Sequence, residues 1–198
     1  MDSMQSLNSL ELKKIVLLGA STGGPGQVQK ILCRLDPLYE TTLIIAQHMA
    51  NDFIQSYAKR LNETCKNDVY IAQDKTPLLA GSIYIMHADF EVTHNGTTLY
   101  FIKKEIQTPH YNPNIDMLFS SFADYTQRYK IFCTILTGIG SDGVKGCDIL
   151  SQRGARVITE SAQSAIVDGM PSRARESIKN IEIDDIDMIA QKIKEFCS

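Results

Sequence analysis

Three polar residues, Ser21, His48 and Asp142, each follow an apolar run of strand length. The runs cover residues 14–19, 42–46 and 131–136. In a serine hydrolase, serine acts as the nucleophile, histidine takes its proton, and aspartate orients the histidine. If these three residues meet in space, the sequence therefore predicts acyl transfer through a serine.

The run before Ser21 ends in a glycine-rich turn with the sequence Gly19-Ala20-Ser21-Thr22-Gly23-Gly24-Pro25. A serine at such a strand-to-helix turn exposes its hydroxyl, and the backbone N–H groups behind it can bind an anion. This geometry suits either a nucleophile or a phosphate site. The turn lacks the lysine of G-x-x-x-x-G-K-[ST] and does not match G-x-G-x-x-G, and His48 stands where a ribose would need an acidic residue. A histidine at this position favours a site for proton transfer over a nucleotide-binding site.

Each of the three residues also has a simpler structural interpretation. Ser21 could be a turn residue or helix cap, His48 a histidine at the rim of the sheet, and Asp142 the cap of the helix behind Gly-Ser-Asp-Gly. Their chain order differs from the orders in α/β-hydrolases, chymotrypsin and subtilisin. The remaining histidines have no metal-site spacing. We interpret them as surface or core-edge residues: His87, His94 and His110.

The elements that would position these residues alternate between strand and helix. This alternation predicts a three-layer α/β fold, a doubly wound, mostly parallel sheet with helices on both faces. Polar sites in such sheets gather beyond the carboxyl ends of the strands. Apolar residues at helical spacing predict one helix from Pro25 to about residue 36 and another that begins near residue 51. The inward residues predicted for these helices are Val28, Ile31, Leu32 and Leu35, and Phe53, Tyr57 and Leu61.

After the second helix the alternation changes. Residues 69–72 predict a third strand, and residues 82–86 and 91–102 predict short β runs that form an antiparallel addition to the sheet. The second of these runs should fold back at Asn95-Gly96, a strong signal for a two-residue hairpin turn. The later elements expected are helices from about residue 112, behind residue 143, from residue 169 and over 185–196, and strands at 131–136 and 156–159.

The composition is that of one globular domain, with 198 residues, 43% of them hydrophobic, and a formal net charge of -3. This charge, without a basic stripe, argues against nucleic-acid binding. No apolar run reaches membrane-spanning length and no signal peptide is evident, so we expect a cytoplasmic protein that does not insert into a membrane. Residues 1–12 are polar and are interpreted as a linker or disordered tail before a single domain at 13–198.

The five cysteines are an odd number, widely separated and without a C-x-x-C pair. This pattern favours reduced, mostly buried thiols over disulfides or a zinc site. We therefore expect neither a metal nor another cofactor. The cysteines are Cys33, Cys65, Cys133, Cys147 and Cys197.

Five motifs, which together span most of residues 13–195, resemble the catalytic domain of the bacterial chemotaxis receptor methylesterase (CheB) family. The motifs are Gly19–Pro25; Gln47–Met49 with Phe53 and Arg60-Leu61; Asp116-x-Leu118-Phe119; Leu136–Gly143; and Gly169–Pro171. The resemblance implies hydrolysis of glutamate γ-methyl esters on the cytoplasmic helices of methylated chemoreceptors, with release of methanol. In many members it also implies deamidation of receptor glutamines.

The resemblance further implies roles for particular residues. Ser21 matches the nucleophile, His48 the base, and Asp142 the residue that orients the base. Thr22 matches an active-site threonine that helps to hold the histidine, and Ile139 stands where the family commonly has methionine. We expect the N–H groups that meet the oxyanion to come from the turn after Ser21 and from the second glycine-rich loop. These residues are Thr22 and Gly23, and Gly138, Ile139 and Gly140.

Two other functions stay open at this point. A domain of the same fold could bind receptors or nucleotides without catalysis, and a serine-directed chemical probe would separate that case. A serine esterase could also act on a small metabolite. Most members of the family carry an N-terminal phospho-receiver domain, and we expect none here because residues 1–12 are too few to form one.

Overall fold

The computed structural model describes residues 11–105 and 112–198. Its strands are β1 (Lys14–Ala20), β2 (Thr41–Gln47), β3 (Val69–Ile71), β4 (Ile83–Ile85), β5 (Phe90–Asn95), β6 (Thr98–Lys103), β7 (Lys130–Ile135), β8 (Arg156–Glu160) and β9 (Glu182–Asp184). Its helices are α1 (Gly24–Leu32), α2 (Asn51–Thr64), α3 (Ile115–Ser121), α4 (Val144–Gln152), α5 (Gly169–Ser177) and α6 (Ile186–Cys197), with a short 3₁₀ turn at Ala123–Tyr125. Over the described ranges no helix is both long and apolar enough to cross a membrane.

The predicted N-terminal tail lies outside the described residues as far as residue 10, and so does His110. Leu12, at the end of the predicted tail, packs against the core. The ordered domain therefore includes at least this residue of the predicted tail.

Seven of the described strands form a parallel sheet in the order β3-β4-β2-β1-β7-β8-β9, while β5 and β6 form an antiparallel hairpin. β1 lies at the centre of the sheet, and successive side chains point to opposite faces. Ile15 and Leu17 pack in the layer of α3, α4 and α5, whereas Val16 and Leu18 pack in the layer of α1, α2 and α6. The predicted three-layer α/β fold with an antiparallel hairpin is confirmed.

Two details of the predicted β region are wrong. The run at 82–86 belongs to the main sheet, because β4 pairs in parallel with β2 and β3. All residues of Ile83–Ile85 are buried, and such a continuous apolar run is typical of a parallel strand covered on both faces. The hairpin turn lies one residue later than expected, since Asn95 pairs with Thr98 and leaves Gly96 and Thr97 at the centre.

The inward face of α2 also differs from the prediction. Phe53 is 62% exposed, whereas Ile54 is 2% exposed. Ile54 repeats with Tyr57, Ala58 and Leu61 at helical spacing, and this stripe faces the sheet. Phe53 lies about 100° around the helix from that stripe, so an aromatic residue that looked like core points to solvent. The first helix is also shorter than predicted, ending at Leu32, although Leu35 is still buried in the turn that follows.

The cysteines are all free thiols but differ in exposure. Cys133 and Cys147 are buried, Cys65 and Cys197 are half-buried, and Cys33 is exposed. The expectation of mostly buried thiols is wrong for Cys33, because it caps the C-terminus of α1 beyond the packed face of that helix.

Candidate active site

The three candidate residues lie at one edge of the sheet, beyond the carboxyl ends of the neighbouring strands β2, β1 and β7. The backbone ladder continues one residue past these strands. His48 N donates to Ala20 O at 2.9 Å, and Ser21 N donates to Thr137 O at 3.0 Å. The main chains at Ser21 and His48 are therefore fixed by the sheet itself.

Gln47 joins the main chains of the two candidate reacting residues. Its side-chain Nε2 donates to Ser21 O at 2.8 Å and to His48 O at 3.0 Å. The side chain is nearly fully buried beneath the turn, where a Cβ on Gly24 would lie 2.1 Å from Gln47 Oε1. Sequence reasoning missed this role. The feature of the sequence that could have indicated this role is a polar residue at the end of an otherwise apolar buried strand.

His48 and Asp142 form a direct pair. The imidazole Nε2 lies 2.7 Å from Asp142 Oδ2, and the two side chains are 7% and 15% exposed. The same carboxylate accepts backbone hydrogen bonds from the start of α3, with Ile115 N at 2.9 Å from Oδ2 and Asp116 N at 2.9 Å from Oδ1. A helix N-terminus favours negative charge. The carboxylate is thus held in one orientation, with one oxygen against the imidazole.

The start of α3 is itself tied to neighbouring elements. Asn114 caps the helix by accepting from Met117 N at 2.8 Å. Asp116 Oδ1 accepts from Gly146 N at 2.8 Å, which joins α3 to α4. Burial raises the pKa of Asp116, and the nearby Asp142 carboxylate raises it further. Asp116 belongs to a motif of the sequence, but its part in supporting Asp142 depends on contacts between elements that the sequence does not show.

A fully buried carboxylate, Glu160 at the end of β8, supports the turn at the end of β7. Its Oε2 accepts from Thr137 N at 3.0 Å, and its Oε1 accepts from Gln27 Nε2 and Ser164 Oγ. Because Thr137 O accepts from Ser21 N, the position of the Ser21 main chain depends on Glu160 through a single residue, Thr137. Sequence reasoning missed Glu160 as well, and its signal is again a polar residue at a strand end.

The side chain of Thr137 links two further loops to this edge. Its Oγ1 donates to Thr22 O at 2.9 Å and accepts from Val167 N at 2.8 Å. Thr22 itself is exposed. Thr137 therefore holds three segments together at the base of the turn that carries Ser21.

Gly138 packs directly against Ser21. A Cβ at this position would lie 2.7 Å from Ser21 Cβ and 2.4 Å from Met170 Sδ. Gly138 N donates to Val167 O at 2.9 Å, and Gly138 O accepts from Met170 N at 2.8 Å. With its N–H already bonded, Gly138 contributes space for Ser21, and the neighbouring Ile139 and Gly140 supply the candidate oxyanion donors of this loop.

The variant Gly138→Ala should therefore displace Ser21. Met170 Sδ can move aside, but Ser21 Cβ cannot move without its backbone. We expect an unfolding free energy lower by about 1–3 kcal/mol from overpacking, and ester hydrolysis slower by about 10²-fold from misplacement of the nucleophile. Chemical denaturation and initial rates measure the two effects.

Gly26→Ala is the matched control, because a Cβ at Gly26 in α1 would meet nothing within 4 Å. Alanine in a helix should leave stability equal or raise it by up to about 1 kcal/mol. Equal activity of both variants would contradict the close packing at Gly138.

Apolar side chains surround the turn. Ile139 is 56% exposed and Ile166 is 66% exposed. Ile166 borders the turn after Ser21, since a Cβ on Gly23 would lie 2.7 Å from Ile166 Cβ. Gly23 has φ +83° and Gly140 has φ +89°, a backbone region that favours glycine. The site thus has a polar interior and an apolar rim.

The structure also describes the possible metal ligands and two of the remaining histidines. In the part of the chain that the structure describes, no group of three or more His, Cys, Asp or Glu side chains could hold a metal ion. His87 is half-buried, and burial followed by the charge of Lys103 lowers its pKa. His94 is exposed and its Nδ1 lies 3.3 Å from Tyr125 Oη. His87 follows β4, the strand beside β2, and His94 lies in the hairpin.

Known proteins resemble this chain in sequence. A family model described as CheB methylesterase matches residues 16–193. A protein-glutamate methylesterase/protein-glutamine glutaminase of Halalkalibacterium halodurans is 35% identical over 189 residues, which cover 93% of this chain and 54% of the relative. The protein of that name from Salmonella typhimurium is 35% identical over 188 residues, which cover 93% of this chain and 53% of the relative. The chain spans about half the length of the curated relatives it matches.

A solved structure also resembles it. The crystal structure of the Thermotoga maritima CheB methylesterase catalytic domain matches with a TM-score of 0.84 and 28% sequence identity. The match covers 92% of this chain and 98% of that chain. The similarity therefore extends over nearly all of the fold described above.

Proposed function

The chain belongs to the CheB methylesterase family, and from this premise we propose that it hydrolyses glutamate γ-methyl esters on chemoreceptors and releases methanol. The observation that carries the proposal is the His48–Asp142 pair, 2.7 Å apart, at the strand edge that also holds Ser21. A domain that only bound a receptor would have no need of a buried imidazole aligned by a carboxylate. Cytoplasmic location is part of the proposal, because the ester-bearing helices of the receptors lie there.

In the first step, Ser21 Oγ attacks the ester carbonyl while His48 takes its proton. Nε2 of His48 faces Asp142 Oδ2, so Nε2 carries a hydrogen and Nδ1 is the nitrogen that accepts the serine proton. Asp142 fixes this tautomer and stabilises the positive charge that develops on the ring.

The negative charge on the carbonyl oxygen is met by backbone N–H groups. We assign these donors to the turn after Ser21, at Thr22 and Gly23, and to the loop at Ile139 and Gly140. Collapse of the tetrahedral intermediate expels methanol, which takes its proton from His48. Water activated by the same imidazole then cleaves the acyl-enzyme and restores Ser21. Glutamine deamidation would use the same acyl-enzyme, with ammonia as the leaving group.

The exposed rim supports a protein substrate. Ile139 and Ile166 present apolar side chains to solvent beside the nucleophile turn, and exposed apolar groups are typical of surfaces that contact a partner. Binding energy gained on such a surface, away from the reacting bond, can be used to raise the rate at the ester.

Methanol release from methylated receptor membranes tests the function. We expect kcat/KM for receptor methyl esters to exceed that for free glutamate γ-methyl ester by about 10²-fold or more, because the small ester has the same leaving group but forgoes contacts at the rim. A serine-directed fluorophosphonate should label Ser21. Absence of labelling would favour a binding module, and equal efficiency on both esters would favour a small-molecule esterase.

A further inference from the structure

Two thiols meet at the far ends of the helices that follow the candidate catalytic residues. Cys33 caps the C-terminus of α1, which begins behind Ser21, and Cys65 caps the C-terminus of α2, which begins behind His48. Their sulfur atoms lie 3.1 Å apart although the residues are 32 positions apart in sequence. The helix lengths place this pair about 14 Å and 21 Å along the two axes from the catalytic edge.

The surroundings of the two thiols differ in accessibility. Cys33 is exposed and Cys65 is half-buried. Cys33 Sγ also contacts Thr64 O at 3.5 Å, and Gln29 Nε2 donates to Thr64 Oγ1 at 3.3 Å. The two helix ends are thus already joined by hydrogen bonds, so the sulfur atoms stay close without a covalent bond.

We propose that Cys33 and Cys65 are a redox modification site. A low-molecular-weight disulfide such as glutathione disulfide oxidises the two thiols, and the product is a reversible intramolecular disulfide between them. The separation of the two cysteines in sequence gave no sign of this pairing. It arises because α1 and α2 pack on one face of the sheet and their C-termini meet.

The accessible thiol starts the exchange. The Cys33 thiolate attacks one sulfur of glutathione disulfide, the S–S bond breaks, and one glutathione leaves as a thiolate that takes up a proton. Burial, followed by the hydrogen bond with Cys33, raises the pKa of Cys65 to about 11, so this thiol keeps its proton at neutral pH and does not start the exchange. Its part in the second step follows from its position, with its sulfur 3.1 Å from that of Cys33. Cys65 then loses its proton and attacks the Cys33 sulfur, and the second glutathione leaves. Two protein thiols are oxidised and one glutathione disulfide is reduced.

The other cysteines provide internal comparisons. Cys133 and Cys147 are also neighbouring thiols, and both are fully buried, so a reagent cannot reach them in the folded chain. Cys197 is half-buried, and burial raises the pKa of its thiol. Reaction should therefore be confined to Cys33 and Cys65.

The test treats the reduced full chain with glutathione disulfide and maps the products by mass spectrometry without reduction. We expect loss of two hydrogen masses from the intact chain and a linked peptide pair containing Cys33 and Cys65. Because the bond closes a loop of about 30 residues, the melting temperature should rise by about 5 °C or more, and dithiothreitol should reverse the rise.

Serine variants locate the reaction. Cys65→Ser should stop at a stable glutathione adduct on Cys33, Cys33→Ser should remain unmodified, and Cys197→Ser should behave as the wild type. Mapping of the wild-type chain stands alone if a variant fails to fold. The proposal is overturned if the wild type gives only a glutathione adduct on Cys33, a disulfide between chains, or a bond that involves another cysteine.

Discussion

Ser21→Ala is expected to slow methyl-ester hydrolysis by about 10⁴-fold or more while the fold stays intact. Alanine removes the attacking oxygen, and water held by the same imidazole is a poor substitute. The hydrogen bonds that fix this turn run through the main chain, from Ser21 N to Thr137 O and from Gly24 N and Gln47 Nε2 to Ser21 O. They survive the substitution, so the free energy of unfolding should change by no more than about 0.5 kcal/mol.

Methanol release from methylated receptor membranes measures the rate, and thermal unfolding measures the stability. Ser177→Ala is the matched control, since it deletes the same oxygen from an exposed serine of α5 and should retain full activity. Hydrolysis by the Ser21 variant at the wild-type rate would rule out a serine nucleophile at this position.

Asp142→Asn should reduce hydrolysis by about 10³- to 10⁴-fold through the wrong histidine tautomer. Asp116 N–H points at Oδ1, whereas Ile115 N–H points at Oδ2, the oxygen that faces His48. We expect the amide oxygen to take the Oδ1 position and accept from Asp116 N–H, which leaves Ile115 N–H without an acceptor. The amide NH₂ then faces Nε2 of His48 and donates to it. Nε2 must become an acceptor, the ring hydrogen moves to Nδ1, and Nδ1 can no longer take the serine proton.

The control for this variant is Asp148→Asn, which removes the same charge from α4, where Asp148 bonds Gln152 of its own helix. Stability of the Asp142 variant should fall by about 1–3 kcal/mol, because charge-assisted hydrogen bonds are replaced by neutral ones. Burst labelling by a fluorophosphonate should slow in parallel with turnover. An Asp142 variant that is as stable as its control and equally active would contradict the role of the carboxylate.

The edge that carries these residues could be predicted from the sequence because it follows from one rule. In a parallel sheet the carboxyl ends of all strands lie on one side, so residues that follow strand-like runs are brought to a common edge whatever their distance along the chain. Ser21 and His48 needed little more than that rule. The position of Asp142 depends also on the turn after β7, which brings this residue against the start of α3.

The parts that could not be predicted depend on contacts between elements. Gln47, Asp116 and Glu160 act by donating to or accepting from loops far away in sequence, and their types alone do not say which loop. The run at 82–86 could pair with either a hairpin or the sheet, and only burial on both faces separates the two. Phe53 was predicted to face the core, but its neighbour Ile54 completes the apolar stripe of the helix equally well and is the buried residue.

The orientation of the His48 ring has a consequence for the alcohol that departs. Nδ1 is bonded to the ring carbon that joins the side chain, so it lies closer to the main chain than Nε2 does. With Nε2 against Asp142, the proposed mechanism delivers the proton of the departing oxygen from Nδ1, on the side of the ring nearer the main chain. We therefore expect a one-carbon alcohol or ammonia to leave more readily than a branched or aromatic alcohol, because a small leaving group can approach the main-chain side of the ring.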